Sequence, residues 1–325
     1  MSRQPAPLGI VAGVDGSPSS AAAVGWAARD AEMRNVPLTL VHVVAPQVAA
    51  PEGWAEIQAP SDYWERREGQ AREIIEAAHK LAVEAGASRR ASAVTSEVRY
   101  APVVPTLVDL SQEADMVVVG CRGQGAVARA LLGSVSAGLV RHAHCPVAVI
   151  HDGDALKARP AGAPVVVGID GSPASELATQ IAFDEASWRG VELVALHAWS
   201  DLGALEFGRP GQAPIEWADF EVREQEVLAE RLSGWRERYP DVLVHQVVVS
   251  DRPAYRLLEQ AEVAQLVVVG SHGRGGFPGM PVGSVSRAVV NAAQIPVIVA
   301  RGPHRNGGHH GRQSPGRDLT SERSN

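Results

Sequence analysis

Residues 117–136 read VVVGCRGQGAVARALLGSVS, and residues 267–286 read VVVGSHGRGGFPGMPVGSVS. Each stretch begins with a short apolar run and continues into glycines with the spacing G-x2-G-x9-G-S. A continuous apolar run of this kind is typical of a strand buried in a parallel sheet. The glycines that follow allow a ligand to approach the backbone closely. We therefore expect an α/β fold in which the same strand and loop occur twice.

The repeat extends over nearly the whole chain. VAGVDGS at 11–17 recurs as VVGIDGS at 166–172, and LTLVH at 38–42 recurs as LVALH at 193–197. Matching motifs near the start of the two copies are 155 residues apart, whereas those near the end are 150 residues apart. The second copy is therefore five residues shorter in its middle. A repeat of this length predicts two copies of one domain. The predicted organisation is a first domain at 1–150, a polar linker at 151–163, a second domain at 164–300 and a disordered tail at 301–325.

Within each copy, apolar strands alternate with amphipathic helical patterns. Leu8–Val14 predicts the first strand, Ser19 and Ser20 are expected to cap the helix after it, and Glu65–Gly86 predicts another helix. Such alternation predicts a parallel sheet with right-handed crossovers and helices on both faces. Each copy is therefore predicted to be a doubly wound, Rossmann-like domain of five parallel strands. Ligands bind such sheets beyond the carboxyl ends of the strands.

Composition narrows the class of protein. The chain has 325 residues, of which 45% are hydrophobic and 21% charged, as in ordinary globular proteins. Its 37 acidic and 30 basic residues argue against a surface that binds nucleic acid. No apolar run approaches the roughly 18 residues of a membrane span. The two cysteines, Cys121 and Cys145, suit a reducing compartment, and we expect a soluble cytoplasmic protein with Cys145 in its core.

The glycine loops suit an anionic ligand. A Gly-Ser pair that opens a helix points unbonded N–H groups outward, with the helix dipole behind them. The first loop brings the hydroxyls of Ser134 and Ser136, and the second those of Ser284 and Ser286. The sequence therefore predicts a phosphate cradle that uses no lysine.

An aspartate ends the first strand of each copy. Asp15 and Asp170 are both followed by Gly-Ser-Pro. In a doubly wound sheet the ends of strands one and four are neighbours, so a carboxylate there could hold a ribose hydroxyl or Mg²⁺ beside the phosphates. The side chain could instead cap the turn that follows it. Together with the duplicated glycine loop, the aspartates favour ligand contact.

With these features, the chain resembles tandem universal stress proteins of the ATP-binding branch. The resemblance covers residues 8–150 and 164–300, and it rests on a G-x2-G-x9-G-[ST] loop, a strand-one aspartate and a GSVS segment in each copy. It implies ATP at the switch point of each sheet, the strand order 3-2-1-4-5, and association through the last strand. It implies phosphate and ribose contacts from Asp15, Gly120, Gly123, Gly133, Ser134, Val135 and Ser136, and from Asp170, Gly270, Gly273, Gly283, Ser284, Val285 and Ser286. The backbone of Val43 and of Ala198 is implied to contact adenine.

The two copies depart from the family pattern differently. Members often have Ser-His or Ser-Arg after the first glycine, which Ser271 and His272 match, whereas the first copy has Cys121 and Arg122. We therefore expect two sites of different affinity.

Three functions have to be weighed. The resemblance implies a regulatory nucleotide sensor in stress adaptation or growth control, with a homodimer and an unidentified protein partner. The alternative is a slow Mg²⁺-dependent ATPase or a nucleotidyl transferase. The chain has neither a G-x4-G-K-[ST] loop nor a G-x-S-x-G elbow, so catalysis is the weaker hypothesis. A third reading, an interaction module that has lost its nucleotide, is disfavoured by the intact glycines.

Overall fold

The computed structural model describes residues 8–46, 62–87, 93–123, 132–151, 160, 162–199, 217–250, 252–274 and 281–302. Most of the predicted linker, and all of the predicted disordered tail after Gly302, lie outside the described residues.

The described residues form ten strands and eight α-helices that alternate along the chain. The strands are β1 Ile10–Val14, β2 Leu38–Val44, β3 Val94–Tyr100, β4 Met116–Gly120, β5 Val147–Ile150, β6 Val165–Gly168, β7 Leu193–Trp199, β8 Val244–Ser250, β9 Leu266–Gly270 and β10 Val297–Ala300. The helices are α1 Pro18–Arg34, α2 Tyr63–Ala82, α3 Val103–Leu110, α4 Ser134–His142, α5 Pro173–Arg189, α6 Trp217–Arg238, α7 Pro253–Ala261 and α8 Ser284–Ala292.

All ten strands belong to one sheet, in the order β3-β2-β1-β4-β5-β10-β9-β6-β7-β8. Each half therefore has its strands in the order 3-2-1-4-5, and neighbouring strands within a half are parallel. The halves join where β5 and β10 pair antiparallel, with Ala148 opposite Ile298. The prediction of two doubly wound α/β domains is confirmed. The last strands of the two halves pair with each other inside one chain.

Several element boundaries differ from the sequence prediction. β1 begins at Ile10 rather than Leu8, and α2 begins at Tyr63 rather than Glu65. Ser17, rather than Ser19 or Ser20, caps α1, because its hydroxyl accepts from Ser20 N at 3.2 Å and Pro18 occupies the first helical position. Proline is favoured there, since its missing N–H would have no intrahelical partner. Helix α2 ends at Ala82, and a π-helical turn follows at Val83–Ala87. It contains Gly86, whose φ of 125° breaks the helical path.

Apolar side chains cover both faces of the sheet. Ile10, Ala12 and Val14 point to the face covered by α1, α2, α5 and α6, while Val11 points to the face covered by α3, α4, α7 and α8. This alternation along β1 follows from the period of two in a strand. The second face concerns the site, because α4 and α8 begin at the ends of the two glycine loops.

Candidate functional site

A cavity of about 220 Å³ opens at the carboxyl ends of β1 and β4. This is the edge at which doubly wound sheets bind ligands. The structure brings all eight of the residues implied for the first copy into its lining: Asp15, Val43, Gly120, Gly123, Gly133, Ser134, Val135 and Ser136.

One wall of the cavity is apolar. Val41 and Val43 of β2 lie in it with Val103 and Leu107 of α3. Val41, Val103 and Leu107 were not among the site residues predicted from the sequence. A signal was available, because Val103 and Leu107 are four residues apart and therefore share one face of a helix.

Another wall is the amino end of α4. Gly133 is the N-cap and makes no side-chain capping bond, and its own N–H donates to Cys121 O at 2.8 Å. The N–H groups of Ser134, Val135 and Ser136 begin the helix, where no carbonyl of the same helix can accept from them. Ser134 is exposed and Val135 half-buried. This wall therefore offers N–H donors and a positive dipole end to an anion.

Ser136 has a structural part in this wall. The residue is 1% exposed, and its hydroxyl donates to Cys121 O at 3.1 Å and to Gly133 O at 3.0 Å. The hydroxyl thus fastens the first turn of α4 to the glycine loop. In the second copy the hydroxyl of Ser286 donates instead to Gly270 O, at the end of β9, at 2.5 Å.

Close packing explains two glycines of the loop. A Cβ at Gly120 would lie 2.7 Å from the carbonyl carbon of Ser19, and one at Gly123 would lie 2.6 Å from Asp15 Oδ2. Both distances are shorter than real Cβ atoms show. The second copy repeats these approaches, at Gly270 with Ala174 and at Gly273 with Asp170.

The strand-one aspartates shape the turn that follows them. Asp15 Oδ1 accepts from Ser17 N at 2.9 Å, and Asp170 Oδ1 accepts from Ser172 N at 2.9 Å. Asp170 Oδ2 also accepts from Arg274 N at 3.1 Å, which ties the turn to the second glycine loop. The capping role considered in the sequence is therefore present in both copies, and Asp15 lines the cavity as well.

The second copy has the same backbone framework with different side chains. Gly283 N donates to Ser271 O at 2.8 Å, just as Gly133 N donates to Cys121 O. Ser284 is exposed and Val285 half-buried at the start of α8. Ala198 lies near the carboxyl end of β7, opposite Val249 of β8. Leu196 and Ala198 are the second-copy equivalents of Val41 and Val43, since each stands 155 residues later. The two valines of the first apolar wall are thus replaced by one larger and one smaller side chain.

The two cysteines lie in the interior. Burial raises the pKa of the Cys145 thiol to about 12, which agrees with the predicted core position. Cys121 is 3% exposed, with its sulfur 3.9 Å from Ser19 Oγ. Within the described ranges, no three His, Cys, Asp or Glu side chains cluster as metal ligands. Among the same residues, no helix combines the length and apolar character needed to cross a bilayer.

Comparison with known proteins decides the family. The model of the universal stress protein family matches the chain twice, at residues 9–151 and 163–301. The chain belongs to the universal stress protein family. The resemblance inferred from the glycine loops is thereby confirmed.

Relatives of this universal stress protein match it over most of its length. One universal stress protein of Mycobacterium tuberculosis is 63% identical over 93% of this chain and 98% of its own. Another from the same organism is 56% identical over 90% of this chain and 97% of its own. The crystal structure of a universal stress protein from Archaeoglobus fulgidus covers 92% of this chain and 98% of that chain with a TM-score of 0.63. Its identity of 20% supports the fold alone.

Proposed function

We propose that this universal stress protein binds ATP, with Mg²⁺, at two sites and acts as a regulatory sensor in stress adaptation or growth control. The observation that supports this most is the first cavity, which is lined both by an apolar wall and by the open amino end of α4. Few ligands need both kinds of surface in one cavity. A nucleotide does, because it joins a flat base to an anionic chain.

Each wall has a distinct task in this proposal. Val41, Val103 and Leu107 would exclude water from one face of the adenine, next to the backbone of Val43. The N–H groups of Ser134 and Val135 would donate to phosphate oxygens, where the helix dipole favours negative charge. Asp15 would hold the ribose or the metal ion. The bound nucleotide would supply the negative charge and the signal of cellular ATP level.

Regulation is better supported than catalysis. Among the residues that the structure describes, the charged side chains lining the cavity are those of Asp15 and Arg122. Asp15 Oδ1 already accepts from Ser17 N, so this oxygen is engaged in holding the turn. A general base needs a free, positioned atom within reach of the proton that it removes. We therefore propose a protein that reads ATP and changes its surface for a partner, with turnover slow at most.

The proposal includes a cytoplasmic location and a homodimer. The pairing of β5 with β10 already uses the last strand of each half. A second chain therefore cannot pair with β5 or β10, which already have a neighbouring strand on both sides.

The direct test is to count the bound nucleotide. Purified protein is denatured, and the released small molecules are identified and quantified by chromatography. The test variant carries Gly133→Glu and Gly283→Glu, which place a negative side chain in both phosphate loops. The matched control carries Gly69→Glu and Gly234→Glu, because a Cβ at either of these helical glycines meets no atom within 4 Å.

The outcomes are distinct. About two adenine nucleotides per chain in the wild type and the control, with none in the test variant, support the proposal. One per chain means that the copies have diverged in function. No nucleotide in any protein, and no binding of added Mg-ATP, overturns the proposal and leaves an interaction module.

A further inference from the structure

Arg301, directly after β10, bridges the two halves of the protein. Its side chain is buried, and the guanidinium lies between the second glycine loop and the first half. Nη1 donates to Pro281 O of that loop at 3.1 Å and to Val140 O at 2.7 Å, while Nε donates to Ala143 O at 2.9 Å. Val140 and Ala143 end helix α4, whose amino end forms the anion-facing wall of the first cavity. One side chain therefore holds a loop of one site and the helix of the other.

Asn291 makes a second link, which joins the first glycine loop to the helix of the second half. It lies in the last turn of α8, whose amino end follows the second glycine loop. Its Oδ1 accepts from Leu132 N at 3.4 Å, and Leu132 directly precedes Gly133 in the first glycine loop. Its Nδ2 donates to Arg287 O of the same helix at 2.8 Å, which fixes the amide. The helix of the second site therefore holds a loop of the first.

We infer that Arg301 and Asn291 couple the two anion sites, so that filling one changes the affinity of the other. This inference rests on the proposed function, since it needs a ligand at both sites. An anion that draws in the amino end of α4 or α8 displaces a helix whose far end is bonded to the opposite loop. Packed helices move as rigid bodies, so such a displacement reaches the other site. Arg301 and Asn291 are positioning residues, because neither lines the first cavity.

His151 provides a matched control. It stands 150 residues before Arg301, directly after β5, and its ring nitrogens lie 3.0 Å from Val290 O and 3.1 Å from Ile295 O. It therefore contacts the end of α8 as Arg301 contacts the end of α4. The bond of Arg301 to Pro281 O ties that residue to the second glycine loop as well. His151→Leu therefore removes contacts across the junction while the bond of Arg301 to the second glycine loop stays in place.

The test is a thermodynamic cycle on the first site. Its Kd for Mg-ATP is measured by titration calorimetry with the second site open and with that site closed by Gly283→Glu. A Cβ at Gly283 would lie 3.5 Å from the nearest atom, His272 Cα, so the fold accommodates this substitution. We expect closure to change the Kd of the first site about fivefold, within the usual range of coupling between sites. In an Arg301→Met background the change should fall below about twofold. In a His151→Leu background it should persist.

A second pair of variants covers the case in which Arg301→Met does not fold. Asn291→Leu removes the acceptor for Leu132 N, whereas Asn291→Asp keeps an oxygen there. The effect of Gly283→Glu should shrink in the first background and persist in the second. Equal effects of Gly283→Glu in all backgrounds, or none in the wild type, would overturn the coupling while ATP binding stands. No binding of Mg-ATP by the wild type would overturn the proposed function, and the coupling with it.

Discussion

Asp30 and Glu185 occupy equivalent positions in the two halves, and both carboxylates are completely buried between α1 and α5. Arg34 bonds to Glu185 across the junction, with its Nε 2.7 Å from Asp30 Oδ2. Arg189 mirrors it, since its Nη2 lies 2.9 Å from Asp30 Oδ1 and 2.7 Å from Glu185 Oε2. The two halves are therefore joined by a buried cluster of two arginines and two carboxyl groups, in addition to the strand pair.

The cluster makes stability depend on pH. Burial, reinforced by the carboxylate of Glu185, raises the pKa of Asp30 from its ordinary value of 3.8 to about 7. Between these values the folded protein keeps a proton that the unfolded chain releases. The contribution of Asp30 to stability is therefore fully present below about pH 4 and is lost as the pH rises toward 7. We expect the free energy of unfolding to fall by on the order of 2 kcal/mol between pH 5.5 and 7.5, measured by urea denaturation.

The control for this pH dependence is Asp30→Asn, which cannot titrate at that position. Its unfolding free energy should change less over the same pH range than that of the wild type. Parallel profiles of the two proteins would show that the pKa of Asp30 is not raised.

Removing one arginine of the cluster should destabilise the protein strongly. Arg34→Met leaves two buried carboxylates to a single guanidinium, and it also removes the contact of Arg34 over the Trp188 ring at 4.7 Å. We expect a loss of about 3 kcal/mol in the free energy of unfolding. Arg72→Met is the control, because Arg72 pairs with Glu68 in solvent and should cost less than about 1 kcal/mol. Similar losses in the two variants would contradict the cluster's role.

The sequence predicted those parts of the structure that depend on short, continuous stretches of residues. The strands adjoining the glycine loops were found because each is a short apolar run followed by glycine. The cluster of Asp30 and Glu185 was missed, because its members lie about half the chain apart and each looks like an ordinary charge in a helix. Arg301 was assigned to the disordered tail, since its partners Val140 and Pro281 are 161 and 20 residues away. Such contacts depend on how the two halves join, which no local pattern encodes.

Packing at Gly120 gives a prediction about stability. A Cβ there would lie 2.7 Å from the backbone of Ser19, so Gly120→Ala must push β4 and α1 apart. We expect a loss of about 1–3 kcal/mol, as for overpacking in other cores. Gly69→Ala should instead raise the free energy of unfolding by about 0.5–1 kcal/mol, because Gly69 lies in α2 with open space around its Cα. Thermal unfolding of the two variants checks the sign of each change. An unchanged melting temperature for Gly120→Ala would mean that the glycine serves only the ligand.

Two substitutions distinguish whether Asp15 contacts the ligand or only holds the turn. Asp15→Asn keeps an oxygen that accepts from Ser17 N, so the turn should survive with a loss below about 0.5 kcal/mol. Asp15→Ala removes this acceptor and should cost about 1 kcal/mol. Both substitutions remove the negative charge. If the carboxylate contacts the ribose or Mg²⁺, each should raise the Kd for Mg-ATP about tenfold, which corresponds to about 1.4 kcal/mol. Calorimetric titration with the second site closed by Gly283→Glu measures this change. A wild-type Kd in Asp15→Asn, together with a weakened fold in Asp15→Ala, would show that the aspartate only shapes the turn.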